Sequence, residues 1–198
     1  KRQRKYPIFN NAYMMTGSHH LYNYLPTKHE KWLTMIKQEI IDSGLIVDIL
    51  NAKTMEDVFR LLQGCSFLGS FLAYQYTIDM NYSPYINFSE NDFVKAGIGA
   101  IRGIKKCFLC YGNKCEDAIW YVKEHFNDLQ KRYGYTSFHP LLGHEPTLID
   151  LQNCFCETDK YLRAKMPELR IGNVRIKQKY MPHTDPIQFF FPPKWNIV

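Results

Sequence analysis

Apolar residues recur at helical spacing along most of the chain, and this pattern predicts a succession of α-helices. The first predicted helix begins after Thr27, which has Glu30 at the spacing of a capping box, and ends at Gly44. A second capping box at residues 54–57 opens a shorter helix that ends at Gly64. Both starts and both ends therefore carry local signals of their own.

The rest of the chain continues the helical pattern. Five more helices are predicted, at residues 67–80, 89–95, 99–110, 115–133 and 146–165. The first of these is apolar around its whole circumference, which is typical of a buried central helix. Alternation of period two, typical of a strand, is confined to residues 171–176. We predict an all-α fold in one domain spanning residues 1–198, with an irregular, proline-rich C-terminal tail.

Composition narrows the class of protein. The chain has 198 residues, of which 45% are hydrophobic and 22% charged, as in a globular domain. No apolar run is long enough for a membrane span. The basic residues at positions 1–5 are followed by no apolar segment and no small-residue cleavage site, so we predict no secretory signal. We expect a cytoplasmic monomer with reduced thiols.

Positive charge is concentrated in one segment. Lys and Arg number 25 against 19 Asp and Glu, which gives a net charge of +6. Residues 160–180 hold seven basic residues against the single acid Glu168, so this segment alone carries +6. Clustered cations near phosphate release counterions and bind DNA without reading its sequence. A solvated basic face explains the cluster equally well.

The six cysteines suggest no metal centre. Cys107, Cys110 and Cys115 are spaced as neither a two-pair zinc site nor an iron–sulfur run. We interpret them as buried thiols on apolar helix faces, and His19 and His20 as surface-loop residues without a third ligand. We expect no metal and no cofactor.

Residues 89–110 have the layout of a helix-hairpin-helix. Gly97 and Gly99 flank one apolar residue between two predicted helices, and glycine permits a tight turn there. The N-terminus of the second helix would offer N–H groups to a phosphate oxygen. Three cations follow nearby: Arg102, Lys105 and Lys106. An ordinary helical connection remains the alternative interpretation.

Several motifs together resemble one helix-hairpin-helix family. They are FLGSFLAYQ at 67–75, DMNYS at 79–83, FSENDFVKAGIGA at 88–100, GIKKCF at 103–108, LIDLQN at 148–153, CE at 156–157 and KYL at 160–162, with a weaker echo at 9–13. The family includes α-glutamyl/putrescinyl thymine pyrophosphorylases and the helical domain attached to 5-hydroxymethyluracil DNA kinases. Its relatives include an anti-phage DNA glycosylase that removes α-glucosylated hydroxymethylcytosine.

The resemblance implies cleavage of an N-glycosidic bond without a metal. Such cleavage passes through a sugar with oxocarbenium character, which a carboxylate stabilises. The resemblance points to Asp150 as that carboxylate, with Asp79 and Glu157 as rivals whose ordinary roles would be helix caps or ion pairs. Bifunctional glycosylases carry a lysine where this chain has Ile101. A monofunctional, hydrolytic mechanism is therefore expected.

A base within a duplex must be extruded before an enzyme can reach it. Five residues are candidates for the pocket that receives it: Asn10, Tyr13, Tyr74, Gln75 and Tyr82. Lys160 and Arg163 are added to the hairpin cations as DNA contacts. The chain has Met14 where the family has arginine, and Ile98 replaces the usual hairpin proline. The first departure indicates a substrate other than a thymine derivative.

These expectations lead to one preferred function and two alternatives. The preferred function is excision of a hypermodified pyrimidine, α-glucosylated hydroxymethylcytosine in particular, from double-stranded phage DNA as an antiviral defence, leaving abasic sites. One alternative uses pyrophosphate in place of water. The other is a non-catalytic DNA-binding module of a modified-base pathway. The sequence contains no phosphate-binding Gly-x4-Gly-Lys-Ser/Thr loop, so the chain is not predicted to be a kinase itself.

Overall fold

The computed structural model describes residues 15–140, 143–172, 184–186 and 188–197. Its regular elements are helices, which confirms the predicted all-α fold. The α-helices are α1 (Lys28–Met35), α2 (Leu45–Asn51), α3 (Met55–Gln63), α4 (Ser70–Asn81), α5 (Ile98–Cys107), α6 (Glu116–Glu124), α7 (Phe126–Arg132) and α8 (Leu148–Lys165). A π-helical segment, Ile36–Asp42, continues α1. None of the described helices has the length and apolarity needed to cross a bilayer.

The helix boundaries predicted from local signals are confirmed. The Thr27 hydroxyl accepts a hydrogen bond from the Glu30 N–H at 3.4 Å. At the start of α3, the Thr54 N–H donates to Asp57 at 3.0 Å and the Asp57 N–H donates back to the Thr54 hydroxyl at 3.0 Å. Gly44 ends the first helical run with φ +81°, a conformation that side chains disfavour.

Helices α5 and α8 pack closely against each other, and two glycines make this possible. A Cβ atom on Gly99 would collide with the Cys156 sulfur atom, and one on Gly103 would collide with the Phe155 carbonyl group. A one-turn spacing of two glycines thus presents a bare backbone stripe to α8. The hairpin glycine Gly99 therefore serves helix packing, whatever else it does.

The predicted helix at residues 89–95 is wrong. The chain makes a turn at residues 90–91 and then runs without regular structure to Gly97. Side chains on α4 bond to the backbone of this stretch and of the residue before it. The Tyr74 hydroxyl donates to the Phe93 carbonyl at 3.5 Å, and the Asn81 amide accepts from the Phe88 N–H at 2.8 Å and donates to the Phe88 carbonyl at 3.1 Å. These hydrogen bonds outweigh the local helix-start signal. The hairpin therefore lacks its predicted first helix.

Two other predictions need correction. The long helix expected at 115–133 is broken at His125, where φ −106° and ψ 18° leave the helical region. Ring contacts stabilise the bend, since His125 packs against Tyr121 at 4.6 Å and Phe126 against Phe138 at 5.6 Å. The expected burial of thiols is wrong for Cys107 and Cys110, which are exposed because α5 ends there.

The described part of the tail is irregular, as predicted, apart from 3-10 turns at Pro167–Leu169 and Pro193–Trp195. The alternating stretch at 171–176 lies mostly outside the described residues. The single-domain boundary at 1–198 stays a prediction.

Glu116 fixes the chain where it enters α5. Its Oε1 atom accepts the Ala96 N–H at 3.0 Å and pairs with the Lys95 ammonium at 2.9 Å. Burial alone would raise the pKa of Glu116, but the hydrogen bonds from Lys95 and Ala96 outweigh it and lower this pKa below 4.5. The ionised carboxylate is therefore the form that supports the fold.

We expect Glu116→Gln to lower the free energy of unfolding at pH 7 by about 1 kcal/mol. A depressed pKa contributes stability that is complete above the unfolded value of 4.5 and is lost as the pH falls through the folded value. The difference between the two proteins should therefore shrink below pH 4.5. Urea unfolding at pH 7 and pH 3.5 measures it, and a difference that grows in acid would contradict this assignment.

Candidate active site at the start of helix α8

Asp150 lies in the first turn of α8, where Thr147 is the N-cap residue. Its Oδ2 atom accepts hydrogen bonds from the Thr147 N–H at 2.8 Å and the Thr147 hydroxyl at 2.9 Å. The side chain is 39% exposed. The positive end of the helix dipole favours a negative charge at this position. Asp150 is thus a fixed, partly accessible carboxylate.

His144 lies beside this carboxylate. Its Nε2 atom is 4.0 Å from the Asp150 Oδ2 atom. The imidazole also stacks on the indole of Trp195, with centroids 3.7 Å apart and planes 21° from parallel. The segment before α8 and the C-terminal turn therefore meet at Asp150.

Glu90 contributes a second carboxylate, and this one is buried. Its Oε2 atom accepts the Trp195 Nε1–H at 2.7 Å, while Oε1 has no hydrogen-bond partner among the described residues. The next residue, Asn91, accepts the Leu148 N–H at 3.2 Å and so ties this turn to the start of α8. The predicted helix at 89–95 would have separated these groups.

Two of the predicted pocket tyrosines lie close to these carboxylates. Burial, then the nearby Glu90 and Asp150 charges, raises the pKa of Tyr82. Burial is also the main cause that raises the pKa of Tyr74, whose hydroxyl donates to the Phe93 carbonyl at 3.5 Å. Both phenols therefore stay protonated at neutral pH. Tyr74 is buried, whereas Tyr82 is half-buried.

Of the other predicted pocket residues, the structure describes Gln75 alone. Gln75 is half-buried on α4 and has no described hydrogen bond with this cluster. Asn10 and Tyr13 lie outside the described residues.

The rival carboxylates occupy more exposed positions. Asp79 is an exposed residue near the end of α4, where partial burial raises its pKa. Glu157 is 66% exposed on α8 and pairs with Lys160 at 2.5 Å. Asp150 is the one of the three that backbone and hydroxyl donors hold in place.

The predicted DNA contacts divide into exposed and buried groups. Lys105 and Lys160 are exposed, and Arg102 is half-buried. Lys106 is not available to DNA, because it pairs with Asp159 at 2.6 Å with both side chains only 2% exposed. Arg163 is also buried and lies 3.1 Å from the same carboxylate. The structure therefore places both cations in the interior beside Asp159: Lys106 joins α5 to α8, and Arg163 pairs with Asp159 within α8.

The hairpin turn presents fewer N–H groups than expected. The Gly97 N–H donates to the Gln152 side chain at 3.3 Å. The exposed residue at the start of α5 is Ile98, at 67%. A phosphate there would therefore rely on the helix terminus and on nearby cations.

Sequence reasoning missed three members of the cluster: Glu90, His144 and Trp195. Glu90 stands in a Ser-Glu-Asn-Asp run that is typical of a helix cap, and Trp195 lies in the proline-rich tail, outside the family motifs. The described residues contain no group of three or more His, Cys, Asp or Glu side chains placed to hold a metal. The cluster can therefore offer carboxylate, imidazole and phenol chemistry from its own side chains.

Many all-helical domains carry a carboxylate at a helix N-terminus. Comparison of the sequence with known protein families shows to which of them this chain belongs. The family model of the 5-hmdU DNA kinase helical domain matches residues 1–171. The chain belongs to this family of helical domains, which is connected with modified bases in DNA. The comparisons with curated proteins and with solved structures gave no match.

Proposed function

We propose that this domain is a monofunctional DNA glycosylase that hydrolyses the N-glycosidic bond of a hypermodified pyrimidine. The observation that carries the proposal is the Asp150 carboxylate, which Thr147 fixes at the start of α8 and which has His144 4.0 Å away. Membership in a family connected with modified bases in DNA supports the choice of substrate class. The substrate we favour is α-glucosylated hydroxymethylcytosine in phage DNA.

The proposed reaction uses the free oxygen of Asp150. Oδ2 takes both Thr147 hydrogen bonds, and Oδ1 has none to any described residue. Oδ1 would stabilise the cationic sugar and accept the proton of the attacking water. The water oxygen bonds to C1′, the bond from C1′ to the base nitrogen breaks, and the base leaves with the electron pair. Because Ile101 replaces a lysine nucleophile, no Schiff base is proposed.

The exposed cations supply the proposed phosphate contacts. We expect Lys105→Ala to weaken DNA binding at all sequences and to reduce the salt slope of the binding constant by about 1. Lys53→Ala, which removes an exposed lysine between α2 and α3, is the matched control and should change neither quantity. Fluorescence anisotropy at several salt concentrations measures both, and equal effects of the two variants would contradict the proposed surface.

The non-catalytic DNA-binding module is the second candidate. The description of the matched family favours it, since that family is the helical part of a kinase. A pyrophosphate-dependent release of the base is a variant of the first candidate that needs the same carboxylate.

A duplex with one modified pyrimidine separates these candidates. A glycosylase converts the modified position to an abasic site, and alkali then cuts the strand there. A binding module retards the duplex on a gel and yields no alkali-sensitive site. Cleavage only when pyrophosphate is added would select the pyrophosphate-dependent variant.

A further inference from the structure

The C-terminal turn places an aromatic heterocycle against the candidate active site. The indole of Trp195 stacks on His144 at 3.7 Å and meets the Tyr82 ring edge-on at 6.0 Å. Its N–H group donates to the buried Glu90 carboxylate at 2.7 Å. Stacking on one face combined with a hydrogen bond from a ring N–H is also how proteins hold an extruded base.

The Glu90 carboxylate has an oxygen that can still accept a hydrogen bond from a ligand. The residue is 8% exposed, and its Oε1 atom is buried without a partner among the described residues. A buried acceptor without a donor is costly, because the group has lost its water. The Trp195 indole donates to Oε2 alone, and the Tyr82 hydroxyl lies beside the same carboxylate.

The neighbouring lysine anchors the turn. The Lys194 ammonium donates to the carbonyl groups of Asn81 at 3.0 Å and Phe88 at 3.1 Å. These carbonyls belong to the end of α4 and to the segment before Glu90. Among the described residues, the side chains of Lys194 and Trp195 make three polar contacts with the rest of the domain.

The residues around the indole and the indole itself lie on different sides of the boundary of the family match. Tyr82, Glu90, His144 and Asp150 lie within the matched residues 1–171, whereas Lys194 and Trp195 lie beyond them. The four residues around the indole therefore lie in the part of the chain that matches the family, and the turn that carries the indole lies outside that match.

We infer that the space held by Trp195 is a binding site for a pyrimidine base, and that the C-terminal turn is an internal occupant which the base displaces. This inference rests on the proposed function for the identity of the ligand. The ligand must be a flat heterocycle with an N–H donor for Glu90. The N3–H of a thymine-type base and the 4-amino group of a cytosine-type base both meet this requirement.

Binding of free bases to the full chain tests the inference without any cleavage step. We expect Trp195→Ala to bind 1-methylthymine or 1-methylcytosine at least about tenfold more tightly than the unchanged chain, by calorimetric titration. The preferred base identifies which N–H group is recognised. The matched ligand 1,3-dimethylthymine lacks an N–H donor and should not bind. Adding Glu90→Gln to Trp195→Ala should weaken binding at least about tenfold.

Lys194→Ala is a second variant that tests the same inference if Trp195→Ala does not fold. This variant keeps the indole, so base binding should change the tryptophan emission as Trp195 leaves His144, and 1,3-dimethylthymine should cause no change. Equal affinity in the unchanged chain and the folded variants, or binding that ignores Glu90→Gln, overturns the inference. Base release that depends on Asp150 could still occur in that case. The experiments therefore distinguish failure of the base-binding inference from failure of the glycosylase proposal.

Discussion

Replacing Asp150 by asparagine is expected to lower the rate of base release about a thousandfold and to leave DNA affinity unchanged. Asparagine retains an oxygen that can accept the Thr147 hydrogen bonds, so the start of α8 should keep its structure. It lacks the negative charge that stabilises a cationic sugar and the basicity that takes a proton from water. Single-turnover release from a modified duplex and anisotropy on the same duplex measure the two quantities.

Asp79→Asn and Glu157→Gln are the controls, since each removes one carboxylate from a more exposed position. Both should release base within about threefold of the unchanged chain. A rate loss in Asp79→Asn with an unaffected Asp150→Asn would move the catalytic role to the end of α4. A loss of DNA affinity in Asp150→Asn would show a binding defect instead.

Replacing Asp159 by alanine is expected to lower the free energy of unfolding by about 3 to 5 kcal/mol. The Asp159 carboxylate is 2% exposed and compensates both the Lys106 ammonium and the Arg163 guanidinium. Removing it leaves two buried cations without the anion between α5 and α8. For a domain of marginal stability, this is a large part of the total.

Glu157→Ala on the same helix is the matched comparison for Asp159→Ala. It removes the exposed ion pair with Lys160, and such pairs contribute about 1 kcal/mol or less. Urea denaturation of both variants measures the difference. Similar midpoints would show that the buried pair contributes no more than the exposed one.

The elements that sequence reasoning predicted correctly carry their own local signals. The capping residues Thr27 and Thr54 act within three residues of themselves, and helices start where they predict. The helix expected at 89–95 also has a local cap signal, but the Tyr74 hydroxyl donates to its Phe93 carbonyl. Asn81 and Glu116 accept the N–H groups of the residues on either side, Phe88 and Ala96. Local propensity predicts structure only where no distant side chain competes.

The candidate site was predictable only in part for the same reason. Asp150 follows from a motif, and Tyr82 from the general need for aromatic rings. The contact between Trp195 and Glu90 joins positions 105 residues apart, and no spacing rule predicts it. The burial of Lys106 likewise depends on α8, which lies about fifty residues further along the chain. A basic residue next to a hairpin can therefore be an internal ion-pair partner.

Mass spectrometry of the products released from intact phage DNAs is the most direct test of whether this domain is a DNA glycosylase. The DNAs should carry different modified pyrimidines, including α-glucosylated hydroxymethylcytosine, and be incubated without pyrophosphate. We expect an intact modified base in solution and an equal number of abasic sites in the DNA, both absent with Asp150→Asn. DNA that is bound at these sites but yields no free base from any modification would contradict a glycosylase and leave the binding module.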